Sequence, residues 1–398
     1  ELLGVFGLLA ASLRRHGQAG DGGRDAELTQ DRVKCALDSL RHFRSVCALT
    51  ELYQGGAPGA EAGLVDFCDA LLSSARDGAS DVRDATLDVF TTVLGEVEPV
   101  PDALVELLLV SLLPSSRKGT PATHALAQQV VRRSSDALTR PVAAWLNGCL
   151  SLTPTEGVVS PDGPGKPRRS DTSNEDEDED EDAIVPVDAS VLQQSDASSN
   201  AYALVYELHL VEPRLLLYTL PKVAERLVCD DAKTRDATVT LLGRLFAEGD
   251  YAAAYPTVYA EWLRRFTDKD AELRAKMVRV ALKVAAANAK ARADLLGRCA
   301  SRLNDPSWDV RRDAVRGVAD AVLEAAPDGL DDVRGGEDFE GALAGLRDRA
   351  KDRRAEIRKE ALTGLASLYR AHVSKRWDDA ADGAALLEED DDDDDDDD

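Results

Sequence analysis

The chain has 398 residues, of which 44% are hydrophobic, 31% charged and only 5% aromatic, a composition that suits closely packed helices better than an aromatic-rich β-sandwich. The formal charge of −26 is concentrated in two acidic runs, 175–182 and 388–398, so the mildly acidic remainder is not expected to bind nucleic acid generally. Apolar runs such as Leu104–Leu113 are shorter than the ~20 residues of a membrane-spanning helix. Because residue 1 is Glu, we expect the sequence to be part of a longer protein.

The spacing of apolar residues predicts helices along most of the chain. These helices are expected near 2–16, 28–53, 60–76, 79–95, 101–113, 120–137, 139–153, 197–210, 213–229, 232–248, 252–266, 270–288, 290–303, 307–325, 338–350 and 355–373. Charge runs cannot bury enough apolar surface to offset chain entropy. We therefore predict a first helical block at 1–153, a disordered acidic linker at 154–196, a second helical block at 197–376 and a disordered Asp-rich tail at 377–398.

Internal repetition is the strongest signal in the sequence. Several apolar helices begin with one template. It consists of an Asp, then an aliphatic residue five positions later and an Arg six positions later. It occurs at Asp77–Val82–Arg83, Asp268–Leu273–Arg274, Asp305–Val310–Arg311 and Asp352–Ile357–Arg358, and one residue shorter at Asp230–Thr234–Arg235. Repeats of ~40–47 residues are typical of HEAT and armadillo proteins. The predicted fold is all-α, a HEAT/ARM-like α-solenoid of stacked antiparallel helix pairs.

The template has a physical basis. Its Asp can accept orphan backbone N–H groups at a helix start or in the tight turn before it. The aliphatic residue begins an apolar stripe, predicted as Ile357, Ala361, Leu365 and Leu368 in one helix and Val82, Ala85, Val89 and Val93 in another. The Arg can bind the Asp of an adjacent turn, so the turns are expected to form a ladder of ion pairs.

No pattern of catalytic or metal-binding residues is present. A Walker phosphate loop ending at Lys166 would need glycine at position 160, which is Ser160. The sequence has no CxxC, HExxH or GxSxG motif, and its five His are far apart. We predict that the protein is not an enzyme and has no metal or cofactor site.

Basic residues cluster at the starts of the later repeats. The candidate partner-binding residues are Arg264, Arg265, Arg274, Lys276, Arg311, Arg312, Lys351, Arg353, Arg354, Arg358 and Lys359. Stacked repeats would bring these starts together as a cationic ridge. One interpretation is a set of structural ladder arginines and solvated faces, which ordinary surface charge favours. The other is a docking strip for an acidic peptide or polyphosphate.

Several strings, in order, resemble the cohesin regulator family called precocious dissociation of sisters, number five. They include Tyr206-Glu207-Leu208 with Leu220-Pro221, Trp262-Leu263 with Leu273-Arg274, Asp305-Pro306 with Val310-Arg311, and Ile357-Arg358-Lys359-Glu360-Ala361 with Leu368-Tyr369. The resemblance covers about residues 2–376 apart from the linker. Members of that family extend further at both ends, and the linker and Asp tail match none of its features.

The resemblance implies a nuclear, chromatin-associated scaffold that regulates sister chromatid cohesion. Its expected partners are the cohesin complex, bound through the kleisin subunit, a cohesin releasing factor and a cohesin acetyltransferase. Inositol polyphosphate is a possible ligand by resemblance only, without assignable residues. The alternatives are a generic HEAT-repeat adaptor, such as a nuclear transport receptor or a phosphatase scaffold, and an enzyme whose site carries no recognised motif.

Overall fold

The structure, a computed structural model, describes residues 2–18, 31–38, 45–75, 80–151, 197–325 and 337–389. Every regular element in these ranges is helical, so the predicted all-α fold is confirmed. The chain forms two compact units, residues 1–222 and 223–398. The predicted linker from 154 to 196 and the Asp run from 390 lie outside the described residues.

Within the described residues, the first unit contains nine helices together with a further helical stretch at 31–38. They are α1 (Leu2–Gln18), α2 (Ser45–Gln54), α3 (Ala60–Ser73), α4 (Ser80–Glu96), α5 (Asp102–Leu112), α6 (Pro114–Gly119), α7 (Pro121–Arg133), α8 (Ser135–Ser151) and α9 (Ala197–Val211). A 3₁₀ helix, Pro213–Leu216, follows α9. The sequence placed α9 and this 3₁₀ helix in the second block, whereas the structure places them in the first unit.

Apolar stripes hold the first unit together. Helix α1 packs on α3, α4 packs on α7, and α5 packs on both α7 and α8. All four predicted stripe residues of α4 are buried, namely Val82, Ala85, Val89 and Val93. Side chains of α7 and α8 hydrogen-bond to residues that follow the linker. Arg132 donates to the Val211 carbonyl at 3.0 Å, and Asn147 donates to the Tyr218 carbonyl at 3.3 Å.

The second unit contains two layers of helices. Helix α10 (Leu220–Glu225) spans the boundary between the units and leads to α11 (Ala232–Glu248), α12 (Tyr251–Ala254), α13 (Pro256–Leu263), α14 (Ala271–Ala287), α15 (Arg292–Ser301), α16 (Trp308–Ala325), α17 (Glu337–Arg349) and α18 (Ala355–Glu389). Helices α11, α14, α16 and α18 pack side by side in that order, and α15 packs on α17. Short 3₁₀ helices precede the turns at Asp268 and Asp305. This arrangement is the stack of helical hairpins that the repeats predicted.

Small residues let consecutive helices of the stack approach closely. Within the described residues, a Cβ added to Gly364 of α18 would lie 2.6 Å from the Ala319 Cβ of α16. A Cβ added to Gly317 of α16 would likewise meet the Leu282 side chain of α14. The two contacts occupy equivalent positions in the repeats. Leu282 and Ala319 each lie eight residues after their repeat arginine, and the glycines that they face each lie six residues after the arginine of the next repeat.

Several predicted boundaries were wrong, for reasons in the local sequence. The predicted helix 213–229 is broken into 3₁₀ turns around α10, because Pro213 and Pro221 donate no backbone hydrogen bond. The predicted disordered tail from 377 is instead helical through Glu389. Its Ala and Leu residues before the Asp run favour helix and outweigh the local acids.

Candidate partner-binding surface

The turns of the second unit are linked by arginine–aspartate pairs. Arg274 Nε donates to Asp305 Oδ2 at 2.9 Å, and Arg274 Nη2 donates to Oδ1 at 2.8 Å. Arg311 binds Asp352 through the same two nitrogens: Nε donates to Oδ2 at 3.0 Å, and Nη2 donates to Oδ1 at 3.4 Å. Because each arginine belongs to one repeat and each aspartate to the next, the predicted ladder of ion pairs is confirmed in this unit.

The first pair of the ladder corrects the sequence alignment. Arg235 Nη2 lies 3.4 Å from Asp268 Oδ1, and both side chains are only 3% exposed. Arg235 Nη1 donates to the Cys229 and Asp230 carbonyls, just as Arg274 Nη1 donates to the Asp268 carbonyl. The residue six positions before the arginine is thus Cys229, whereas the sequence had assigned Asp230 to the template aspartate. In each turn the arginine donates to the backbone carbonyl of the residue six positions before it. This backbone contact sets the six-residue spacing and does not depend on the side chain of the turn residue.

Each ladder aspartate also closes its own turn. Asp305 Oδ1 accepts the Ser307 N–H at 2.9 Å, two residues later. A second arginine, Arg302, stands three residues before Asp305 with Nη1 3.6 Å from Oδ2. The corresponding pairs in the other turns are Arg265–Asp268 and Arg349–Asp352, each at 3.0 Å. Sequence reasoning missed Arg302 and Arg349, although the Arg three residues before Asp268, Asp305 and Asp352 was a detectable signal.

The same bonds lower the pKa of Asp305 and Asp352. Burial by itself would raise the pKa of Asp305, but hydrogen bonds from the Arg274 guanidinium and the Ser307 N–H outweigh it, so the pKa falls below its ordinary value. The pKa of Asp352 is lowered for the same reason, through the Arg354 N–H and the Arg311 guanidinium. Both carboxyl groups therefore stay ionised at neutral pH.

We expect the second unit to lose stability in acid. A folded-state pKa below the unfolded value adds stability at any pH above the unfolded pKa of about 4. That stability is lost as the pH falls through the lowered pKa of Asp305. Melting temperatures followed by circular dichroism at decreasing pH should fall steeply below about pH 4, and less steeply for Asp305→Asn. Equal slopes for the two proteins would contradict the assignment.

A second row of ion pairs runs beside the ladder. It neutralises most cations on the exposed sides of α14 and α16, where a groove of about 420 Å³ lies between neighbouring helices. The pairs are Lys276 with Asp236, Arg279 with Asp313, and Arg316 with Glu360. Each cation in these pairs is at least partly exposed, so the pairs add little stability, but they remove positive charge from this part of the predicted ridge.

The predicted ridge residues therefore divide into three groups. Arg265, Arg274, Arg311 and Arg358 are partly buried and bind turn carboxylates or carbonyls. Three others pair with nearby acids: Arg264 with Glu261, Lys276 with Asp236, and Arg312 with Asp309 and Asp313. The remaining four are exposed and make no ion pair with any residue that the structure describes, namely Lys351, Arg353, Arg354 and Lys359.

These four residues, the cationic cluster, surround the turn before α18 and the start of that helix. Beside them lies Trp308, whose ring centroid is 4.9 Å from the Arg354 guanidinium and 5.2 Å from the Arg312 guanidinium. Cation–π contacts at exposed sites contribute about 0.5–1 kcal/mol and hold the guanidinium plane in place. The cluster presents unneutralised donors suited to carboxylate groups.

The described ranges show no arrangement for metal chemistry. No group of three or more His, Cys, Asp or Glu side chains in them lies close enough to hold a metal ion. Their helices also include none with both the length and the apolar character needed to cross a membrane.

Comparison with known proteins matches nearly the whole chain to one family. A family model described as "Sister chromatid cohesion protein PDS5 protein" covers residues 1–386. Sister chromatid cohesion protein PDS5 homolog A of Mus musculus is 25% identical over 288 residues, which are 72% of this chain and 18% of that protein. The Gallus gallus homolog A is 25% identical over 300 residues, 74% of this chain and 19% of that protein. The chain thus spans less than a fifth of the length of these relatives.

A solved structure shares the fold. It is named "Structure of the Pds5-Scc1 complex and implications for cohesin function", and its matching chain has a TM-score of 0.68 and 14% sequence identity. The match covers 93% of this chain and 50% of that chain. At this identity the likeness shows a common helical-repeat architecture.

Proposed function

Because the chain belongs to the PDS5 family of sister chromatid cohesion proteins, we propose that it is a cohesin-associated helical-repeat scaffold that binds the kleisin subunit. The match of the family model to residues 1–386 is the observation that carries this proposal. The similar fold of a protein solved in complex with Scc1 supports it. Stacked repeats bury their apolar faces against one another and leave long surfaces for extended partners.

The proposed mechanism is passive. The scaffold acts on chromatin in the nucleus, holds the kleisin, and brings a cohesin releasing factor and a cohesin acetyltransferase to the same ring. It performs no chemistry of its own and needs no metal or cofactor. Inositol polyphosphate is a further ligand to test, for which family resemblance is the sole support.

Affinity purification of the tagged chain from nuclear extract tests this function. The expected result is enrichment of the kleisin subunit together with the other cohesin subunits, measured by quantitative mass spectrometry at about 0.15 M and about 0.5 M salt. An absence of kleisin at both salt concentrations would refute the proposal. A partner set dominated by nucleoporins or phosphatase subunits would instead select a generic HEAT-repeat adaptor.

Within this scaffold, the cationic cluster is the proposed contact for acidic peptide segments. Changing Arg353→Glu together with Arg354→Glu should weaken binding of an acidic probe peptide, residues 171–182 of this chain, by about tenfold because attraction becomes repulsion. The melting temperature should stay within about 2 °C, since acids before a helix start interact favourably with its dipole and offset the lost contact with Trp308. Fluorescence anisotropy at fixed salt measures the affinity.

A matched variant controls for net charge. Arg117→Glu with Lys118→Glu makes the same charge change at two exposed positions of α6. Probe affinity should change little in this variant if the cluster is the binding site. Equal weakening in both double variants would mean that only the overall charge matters, and a loss of stability in the cluster variant would make Arg353 and Arg354 structural.

A further inference from the structure

The segment that joins α5 to α7 lies on the surface of the first unit. It consists of α6 and Thr120, and no residue of α6 is buried. The five residues from Arg117 to Pro121 are all exposed. Helices of the given sequence flank this segment on both sides, since α5 packs on α3 before it and on α8 after it. The exposure is therefore not that of an uncovered end of the stack.

Thr120 stands directly before Pro121, and a Thr-Pro dipeptide is the minimal substrate of proline-directed protein kinases. Proline keeps the residue before it out of the helical conformation, and Thr120 has φ −136° and ψ 71°. Two other dipeptides of this kind, Thr153-Pro154 and Ser160-Pro161, lie outside the described residues. Thr120 is thus the one whose surroundings the structure describes.

The usual structural role of a Thr before a Pro at a helix start is to cap the helix, and Thr120 does not perform it. Pro121 is the first residue of α7 and Thr120 holds the N-cap position, but its side chain makes no capping hydrogen bond. Its Oγ1 instead donates to the Ser116 carbonyl at 3.3 Å, which is a long bond. The hydroxyl of this exposed residue is therefore weakly held and open to modification.

Other helices of the chain show what the start of α7 lacks. Asp231 accepts the Thr234 N–H at the start of α11, and Asp270 accepts the Glu272 N–H at the start of α14. An acidic acceptor at this position also interacts favourably with the helix dipole. The first turn of α7 contains no acidic residue, so a phosphate on Thr120 would meet no like charge there.

Two cations precede Thr120. Arg117 and Lys118 are exposed and make no ion pair with any residue that the structure describes. They are available to a phosphate on Thr120, which carries a charge of about −1.5 to −2 at pH 7. The modification would change the charge of residues 117–120 from about +2 to about 0.

We propose that Thr120 is a phosphorylation site of a proline-directed protein kinase, and that its phosphate caps α7. In the reaction, the bond from the γ-phosphorus of ATP to the bridging oxygen breaks as the bond to Thr120 Oγ1 forms. ADP leaves, and the hydroxyl proton passes to the catalytic aspartate of the kinase. The phosphate then accepts N–H groups of the first turn of α7 and pairs with Arg117 and Lys118. This inference does not depend on kleisin binding.

Treatment of the folded full chain with a purified cyclin-dependent kinase and Mg·ATP tests the site. Thr153→Ala with Ser160→Ala removes the other two dipeptides and forms the background of every variant. We expect one added phosphoryl group by intact-protein mass spectrometry, mapped to Thr120 by peptide fragmentation. Its rate of addition should be within about tenfold of the rate for a free peptide of residues 114–126, since opening a surface segment without buried residues costs little.

Variants at and away from the site provide the controls. Thr120→Ala should abolish the phosphorylation, and Pro121→Ala should nearly abolish it because the kinase requires the proline. The matched control is Thr267→Ala, which removes an exposed threonine that is followed by Asp268 and should leave the phosphorylation unchanged. Fragment mapping in the background chain needs no further variant, so it identifies the site even if Thr120→Ala melts lower.

The capping role has its own measurements. The phosphorylated chain should show slower amide hydrogen exchange at Ala122 and Thr123, and a melting temperature higher by about 1–3 °C at about pH 7.5. Both differences should shrink at about pH 5.5, because the second pKa of a phosphate ester is about 6 and the monoanion is a weaker acceptor.

Three results would overturn the proposal. The first is the absence of phosphate on Thr120 under conditions that modify the free peptide completely. The second is phosphorylation that persists at the wild-type level in Thr120→Ala. The third is exchange and melting that stay the same, or change in the opposite direction, in the phosphorylated chain. The first two would reject the site, and the third would reject the capping role.

Discussion

Replacing Asp305 by Ala is expected to lower the free energy of unfolding of the second unit by about 3 kcal/mol. The substitution removes one carboxylate that accepts two bonds from Arg274, one from the Ser307 N–H and an ion pair from Arg302. The Asp305 side chain is fully buried and that of Arg274 is only 12% exposed, so the arginine is left charged and poorly hydrated. Urea unfolding followed by circular dichroism and tryptophan fluorescence measures the loss.

The control for this prediction is a pair with the same chemistry on the surface. Asp294 and Arg298 lie one helical turn apart in α15, and both side chains are about half exposed. Asp294→Ala should change stability by less than about 0.5 kcal/mol, because water replaces the lost partner. Similar losses for Asp294→Ala and Asp305→Ala would mean that the ladder pairs are ordinary surface pairs.

Gly364→Val should destabilise the stack by about 2–3 kcal/mol. The added Cβ would lie 2.6 Å from the Ala319 Cβ, a contact that no side-chain rotation relieves because both atoms are fixed to backbone. Helices α16 and α18 must then move apart, which loosens the ladder pair between Arg311 and Asp352. The same urea unfolding experiment measures the effect.

A glycine in open space gives the opposite expectation. A Cβ added to Gly341 of α17 meets nothing within 4 Å. Gly341→Ala should therefore stabilise the unit by up to about 1 kcal/mol through helix propensity alone. If Gly364→Val were neutral, the close approach of α16 and α18 would not be required for stacking.

Arg311 and Arg353 show how far sequence reasoning reached at the candidate site. Both are arginines next to a repeat turn, and both were assigned to one cationic ridge. The structure places Arg311 against Asp352 and leaves Arg353 in solvent. The local sequence around an arginine is similar whether its side chain pairs with a neighbouring repeat or faces solvent. Only the position of the neighbouring turn therefore distinguishes a structural arginine from one that is free to bind a partner.

The template itself, by contrast, predicted real contacts. Its Asp and Arg recur at fixed offsets, and those offsets place the two groups within hydrogen-bonding distance once repeats stack. Of the four residues predicted for the apolar stripe of α18, Ile357, Ala361 and Leu368 are buried, whereas Leu365 is only half-buried. The template failed at Cys229, where the side chain differs but the turn carbonyl keeps its role.

The sequence by itself determined the helical-repeat fold, the ladder and the family, because these depend on periodic apolar residues and on residue types at fixed spacing. The tertiary structure decided which cations are neutralised and how closely the helices approach at Gly317 and Gly364. Those properties depend on distances between residues about 40 positions apart in sequence. Such distances are set by packing between repeats, which no local pattern encodes.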